Sequence, residues 1–318
     1  MNSNPRSILK ATRQTALRYG AMRRRGIEWP TVALIGLCYG VWLLGTGLMA
    51  QWHVGLGIVA TALAIALYSS LQHEVIHGHP FRWRWVNEAL VFPALNLVIP
   101  YTRFRDTHLA HHKDADLTDP YDDPESNFWA LSDLRALPRW VRAALRFNNT
   151  LLGRLTIGPV VAQVVFTQQE WRRARAGERA VIRGWVLHAA GAGMVLVWLL
   201  VFASLPLWAY AAAAYVSLSI VKIRTFLEHQ AHEKARGRTV IIEDRGPLAF
   251  LFLNNNFHAV HHMYPGVAWY RLPALYARGR ERFLRCNDGY VFKSYRDIFR
   301  SYFLTAKDEV AHPLWHRD

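Results

Sequence analysis

Cysteine is scarce in this chain. Cys38 and Cys286 are the only two among 318 residues, far apart in sequence, so no disulfide framework is expected. The same scarcity rules out a CxxC-type iron–sulfur site. No Gly-rich dinucleotide-binding loop follows a strand pattern, no fused haem domain is expected, and apart from the paired apolar runs described below there is no internal repeat or low-complexity tract. Long segments also lack charge. Thr31–Ala50 runs 20 residues without an Asp, Glu, Lys or Arg, Val54–Leu71 follows after a short polar break, and Gly184–Ser204 and Pro206–Val221 form a second such pair.

About 20 apolar residues cross the hydrocarbon core of a bilayer, so these runs predict two transmembrane hairpins, 31–71 and 184–221. This accounts for a hydrophobic content of 52% beside a mean hydropathy of only +0.02: apolar runs alternate with Arg-rich segments. Residues 1–30, 72–183 and 222–318 carry 7, 15 and 16 Lys or Arg, together all 38 in the chain. The hairpin connections carry none. The positive-inside rule therefore places both termini and the middle segment in the cytoplasm. A net charge of +15 is then explained by topology and anionic lipid rather than by nucleic acid. The first apolar run starts after residue 30 and is long enough to span, so no cleavable signal peptide is expected. Ala89–Pro100 is apolar but short and proline-interrupted, and is expected to be re-entrant or interfacial. Leu151–Phe166 is expected to lie at the interface.

Against this background stand the histidines. His73 and His77 lie in HEVIH, His108, His111 and His112 in HLAHH, His258, His261 and His262 in HAVHH, and His229 ends RTFLEH. Residues three and four apart share a helix face, so each string aims two or three imidazoles at one point. Nine imidazoles overfill any single ion, because zinc sites close with four ligands at most, and they suit two. Imidazole alone does not select among iron, copper, zinc and nickel. In the predicted topology all four clusters fall on the cytoplasmic side. His79 and His232 lie near them as secondary candidates, and His188, inside a span, reads as a packed residue.

The strings HEVIHGH at 73–79, HLAHH followed by KDADLTDPYDDPES, RTFLEH at 224–229 and NNNFHAVHHMYPGVAWYRLP at 254–273 resemble the membrane fatty acid desaturase and hydroxylase superfamily, in particular its bacterial desaturase branch. The resemblance covers roughly residues 30–280. It implies an all-α integral membrane protein with four spans, interfacial helices and a cytosolic cap, forming one domain over 1–318. It further implies a di-iron centre held by His73, His77, His108, His111, His112, His229, His258, His261 and His262. The implied reaction uses O2 to remove hydrogen from an unactivated C–H bond of an acyl or lipid-like substrate, giving a C=C bond. Hydroxylation, ketolation and desaturation of an amino-acid-derived metabolite are the alternatives inside the superfamily.

Glu74, Asp106 and Glu228 adjoin the histidines and are expected to orient them. Electrons are expected from a separate ferredoxin, rubredoxin or cytochrome with its reductase, docking on Arg-rich stretches such as 171–179 and 278–285. The acidic run Asp114–Glu125 is a candidate contact for a cationic headgroup. HEVIH also matches the HExxH zinc-hydrolase pattern, but a zinc protease gives no reason for two further HxxHH strings.

Overall fold

The computed structural model describes residues 26–113 and 117–315. Most of the basic N-terminal segment, and Asp114 and Asp116 of the acidic run, lie outside them. The described chain is mostly helical, with a single pair of two-residue strands that the pattern of apolar residues did not announce: β1 (Ile241–Ile242) runs parallel to β2 (Val291–Phe292).

The first apolar run forms α1 (Trp29–Leu44), prolonged through a π turn at Gly45–Met49 to Trp52. The chain breaks at His53, whose ring Nδ1 accepts the Gly55 N–H and caps α2 (Val54–Ile76). A Cβ on Gly45 would stand 2.8 Å from Thr61 Oγ1, so glycine is what lets the two helices close into a tight hairpin. After α3 (Tyr101–His111) and α4 (Gly158–Arg175), the second pair follows as α5 (Arg179–Val201) and α6 (Leu207–Thr225). The helix at the heart of the bundle is α2, packed against both α1 and α6.

Among the described residues three helices are long and apolar enough to cross a bilayer: Trp29–Trp52, Val54–Ile76 and Arg179–Val201. The fourth expected span, α6, is not one of them. It is rich in alanine, contains Tyr210 and Tyr215, and ends in Lys222 and Arg224, which dilute its hydropathy. The helix α2 runs past its apolar stretch into Gln72, His73 and Glu74, so its polar end reaches the site.

The short apolar run 89–100 does not form a spanning helix. A helix ends at Leu90 and the chain then turns irregularly, with Val91 and Leu95 buried in the bundle core. Three tyrosines satisfy its carbonyls: Tyr39 donates to Leu90 O (2.7 Å), Tyr68 to Val91 O (2.7 Å) and Tyr210 to Leu95 O (2.6 Å). Irregular backbone at such depth needs these protein partners. Residues 151–166 form a short helix, Leu151–Thr156, and the first half of α4.

α3 is locked to α4 by a buried fork, Arg103 Nε to Glu170 Oε2 at 2.7 Å and Nη2 to Oε1 at 3.1 Å. Beyond α6 the chain builds a second core from Ile241, Phe257, Val260, Leu272, Tyr276 and Phe283. That core backs α7 (His258–Met263), the helix of the last histidine string.

Candidate metal centre

The nine histidines of the four strings meet in two adjacent groups. His73, His77, His108, His112 and His261 form one, and His111, His229, His258 and His262 the other, with the ligand atoms of each group all within 4.8 Å of one another. The expectation that each HxxHH string aims at a single point needs correction. In both strings the i and i+4 residues go to one group and the i+3 residue to the other: His108 and His112 against His111, and His258 and His262 against His261. At 100° per residue, positions i+3 and i+4 lie on opposite sides of position i. One short helix thus serves two centres. His112 and His262, one from each group, stack at 4.2 Å.

Nε2 atoms face one another at close range. Separations are 3.2 Å for His77–His108 and His112–His261, 2.9 Å for His111–His229, 3.2 Å for His229–His258 and 3.1 Å for His258–His262. Two ligands at right angles, each about 2.1 Å from an ion, stand about 3.0 Å apart, so the spacing fits shared metal ligation. His73 Nε2 is buried with no hydrogen-bond partner, an orphaned lone pair that ligation of a cation would satisfy.

The opposite nitrogens are tied outward. The Nδ1–H of His111 donates to Asp123 Oδ1 at 2.8 Å, that of His108 to Glu125 Oε1 at 3.1 Å, and that of His258 to Asn255 Oδ1 at 3.2 Å. Such bonds fix the tautomer that leaves the Nε2 lone pair free. Asp123 is itself fixed by accepting the Thr118 and Glu125 backbone N–H groups at 2.8 and 2.9 Å. Three consecutive asparagines brace α7. Asn254 takes a left-handed turn (φ 56°) and donates to Trp269 O; Asn255 donates to Glu228 Oε1 at 3.0 Å; Asn256 donates to Ile242 O and Asp244 O.

The electrostatics favour the neutral imidazole at His112, His229, His258, His261 and His262. Burial first, then neighbouring histidines, push His229, His258, His261 and His262 well below the ordinary value, and His112 down to about 3. His111 is the exception. Burial opposes its charge, but the Asp123 hydrogen bond and the nearby Glu125 carboxylate raise it to about 9. Burial would raise Glu125, yet the facing His108, then His111 and His229, hold it well below the usual carboxylate range. Glu228 is raised by burial, partly offset by Arg224.

The three acids singled out from the sequence fare differently. Glu228 reaches the site, with Oε1 3.9 Å from His258 Nδ1 and linked through Asn255. Glu74 instead accepts the Trp269 backbone N–H at 3.1 Å. Asp106 pairs with Arg103 and Arg105 and holds no histidine. The supports that sequence reading missed are Asp123, Glu125 and Asn255. The first two belong to the acidic run assigned above to a headgroup; they turn inward, onto the histidines. His79 pairs with Glu28 at 2.8 Å, His232 bonds within its own loop, and His188 Nε2 meets Leu97 O at 3.1 Å; none joins the groups.

A cavity of about 640 Å³ opens beside His108 and His229, one from each group. Val161, Val165 and Phe166 of α4 and Leu218 and Val221 of α6 give it an apolar wall.

The family model described as Fatty acid desaturase matches residues 50–294. The match takes in every histidine of the two groups and implies oxidoreductase activity in general, on acyl or lipid material. No curated protein matches the sequence significantly.

Proposed function

Since this chain belongs to the fatty acid desaturase family, we propose that it is an O2-dependent di-iron membrane desaturase that introduces a C=C bond into an acyl or lipid-like substrate. The observation that carries the reading is the pair of imidazole groups with Nε2 atoms 2.9–3.2 Å apart. His73, His77, His108, His112 and His261 hold one ion, and His111, His229, His258 and His262 the other. Zinc, which has no redox chemistry, does not serve an oxidation, and imidazole suits iron. Bound there, two irons supply the reductive activation of O2 needed to remove hydrogen from an unactivated C–H bond.

The chain's own residues do the rest. Asp123, Glu125 and Asn255 hold His111, His108 and His258 in the tautomer that faces inward. Burial of the cluster excludes bulk water, and the adjoining cavity holds the substrate against His108 and His229. Two electrons come from the hydrogens lost by the substrate and two from a carrier, so O2 leaves as two waters with two further protons taken up. The carrier is a separate ferredoxin, rubredoxin or cytochrome with its reductase. An acidic carrier surface matches the Arg-rich stretches near Arg173 and Arg282.

The topology that suits this chemistry is one domain over 1–318 with two hairpins, 31–71 and 184–221. Its fourth span is α6, and both termini and the site face the cytoplasm of a bacterial inner membrane. Within the superfamily, hydroxylation is the second outcome of the same C–H step. The HExxH hydrolase reading gains nothing, because the Glu74 carboxylate is engaged by the Trp269 N–H.

The test is mass spectrometry of lipids and polar metabolites from cells expressing the chain with its redox partners, against cells carrying His261→Ala. A product lighter by two hydrogens and absent in the variant is expected. A product heavier by one oxygen makes the chain a hydroxylase, and cleaved peptides with no oxidised product overturn the reading.

A further inference from the structure

The cavity beside the histidines has one apolar wall and one strongly cationic end. Arg154, Lys222 and Arg224 line that end, and their charges are poorly matched by the protein. Arg224 Nε lies 3.1 Å from Glu228 Oε1, yet without a directed hydrogen bond, and its Nη1 is buried with no partner at all. Arg154 is buried and donates to neutral oxygens: Asn148 O at 3.1 Å, Asn127 Oδ1 at 2.6 Å and Asn149 Oδ1 at 3.5 Å. Lys222 lines the same end, with Arg154 and Arg224 opposing its charge and Glu228 and Glu125 favouring it. The carboxylates nearby are already engaged. Glu125 holds His108, Glu228 is shared by Arg224 and Asn255, and Asp308 pairs with Lys307 at 2.7 Å. Three cations here share one close carboxylate, Glu228, and burying charge in excess of its counter-charge is costly, so this end of the cavity is suited to an anion.

Its position narrows the ligand. Glu228 Oε1 is 3.1 Å from Arg224 Nε and 3.9 Å from His258 Nδ1, so a single carboxylate separates the cationic end from an imidazole of the centre. An anion held by Lys222 and Arg224 therefore sits on the outward, Nδ1 side of His258, with the apolar wall of the cavity between it and the histidine edge at His108 and His229.

We infer that the cavity takes a substrate with its own free carboxylate held at the Lys222 and Arg224 end, its apolar chain, the part oxidised, lying along α4 and α6 towards His108 and His229. An ester- or thioester-linked chain offers only a neutral carbonyl at that end. The inference rests on the desaturase reading for the word oxidised, but the anion site stands on the cavity alone.

The experiment is equilibrium binding of octanoate and of octan-1-ol, equal in chain length, to the full-length protein in detergent as isolated with its metal. Charge-assisted hydrogen bonds to a partly desolvated carboxylate predict a preference for octanoate of roughly tenfold to a hundredfold. Lys222→Met should abolish most of that preference and Lys222→Arg should restore it, with metal content unchanged in both. Equal binding of the acid and the alcohol by the unaltered protein overturns the inference, as does a preference that survives Lys222→Met. Iron is measured in the same samples. Its absence counts against the desaturase reading and leaves the octanoate-to-octanol ratio to decide this one.

Discussion

Replacing Asp123 by asparagine separates a support of the metal centre from an ordinary buried acid. The carboxylate takes three donors on two oxygens: His111 Nδ1–H at 2.8 Å and Glu125 N–H at 2.9 Å on Oδ1, and Thr118 N–H at 2.8 Å on Oδ2. Asparagine keeps one oxygen and sets an NH2 where the other stood, so at least one N–H faces a donor. That costs about 1–3 kcal/mol. Loss of a ligand's outward hydrogen-bond partner weakens metal affinity about 10–100-fold, or roughly 1.4–2.8 kcal/mol. The two estimates overlap. Because His111 belongs to the four-histidine group, only that ion should loosen. The assay is metal content by elemental analysis after equilibration with graded chelator: Asp123→Asn should shed one ion at roughly 10–100-fold lower chelator and keep the other. Glu125→Gln should do the reverse through His108, in the five-histidine group, and Asp106→Asn should change neither. Retention of both ions by Asp123→Asn, or loss of one by Asp106→Asn, refutes the assignment.

Three further outcomes follow from particular contacts. In metal-free protein His111 titrates at about 9, so below that pH an entering ion must displace its proton; affinity at the four-histidine group should rise with pH up to about tenfold per unit until about pH 9. His112, at about 3, imposes no such slope on its group, and chelator titrations at neutral and alkaline pH will show whether the two groups diverge. Glu170→Gln leaves Arg103, 2% exposed, without its forked partner and should cost about 3–5 kcal/mol, read as a large fall in the thermal unfolding midpoint in detergent; an unchanged midpoint would sink the claim that this pair locks α3 to α4. A Cβ at Gly191 would stand 2.4 Å from Phe92 O, whereas one at Gly193 meets nothing within 4 Å. Gly191→Ala should therefore destabilise by about 1–3 kcal/mol while Gly193→Ala is tolerated, and equal melting of the two would contradict the close approach of α5 to the 91–100 turn.

How much of the site was legible in the sequence depended on whether a residue's partner is local. The spacing of the histidine strings is a helical property, visible without a fold, and it brought forward the same nine residues that the structure gathers. The irregular 91–100 segment was legible as a non-spanning run from its length and prolines, but not the three tyrosines, from α1, α2 and α6, that satisfy its carbonyls. The fourth span reads as apolar over 206–221, yet the last turn of α6 carries Lys222 and Arg224, and those two residues line the cavity.

The acids show why proximity in sequence misleads. On a helix a neighbouring residue points 100° away and the next 200° away, so Glu74, beside His73, and Asp106, two before His108, leave the ligand face by construction. One meets the Trp269 N–H and the other two arginines. Asn255, three residues before His258, is a local partner for an outward nitrogen; the others come from chain that folds back over the imidazole. Asp123 and Glu125 do so from the loop after the second string, and Glu228, beyond the end of α6, acts across Asn255. The same angle explains the two centres. With i and i+4 on one side and i+3 on the other, two HxxHH helices facing each other contribute three imidazoles apiece to the two groups. HEVIH and His229 then complete them, five and four.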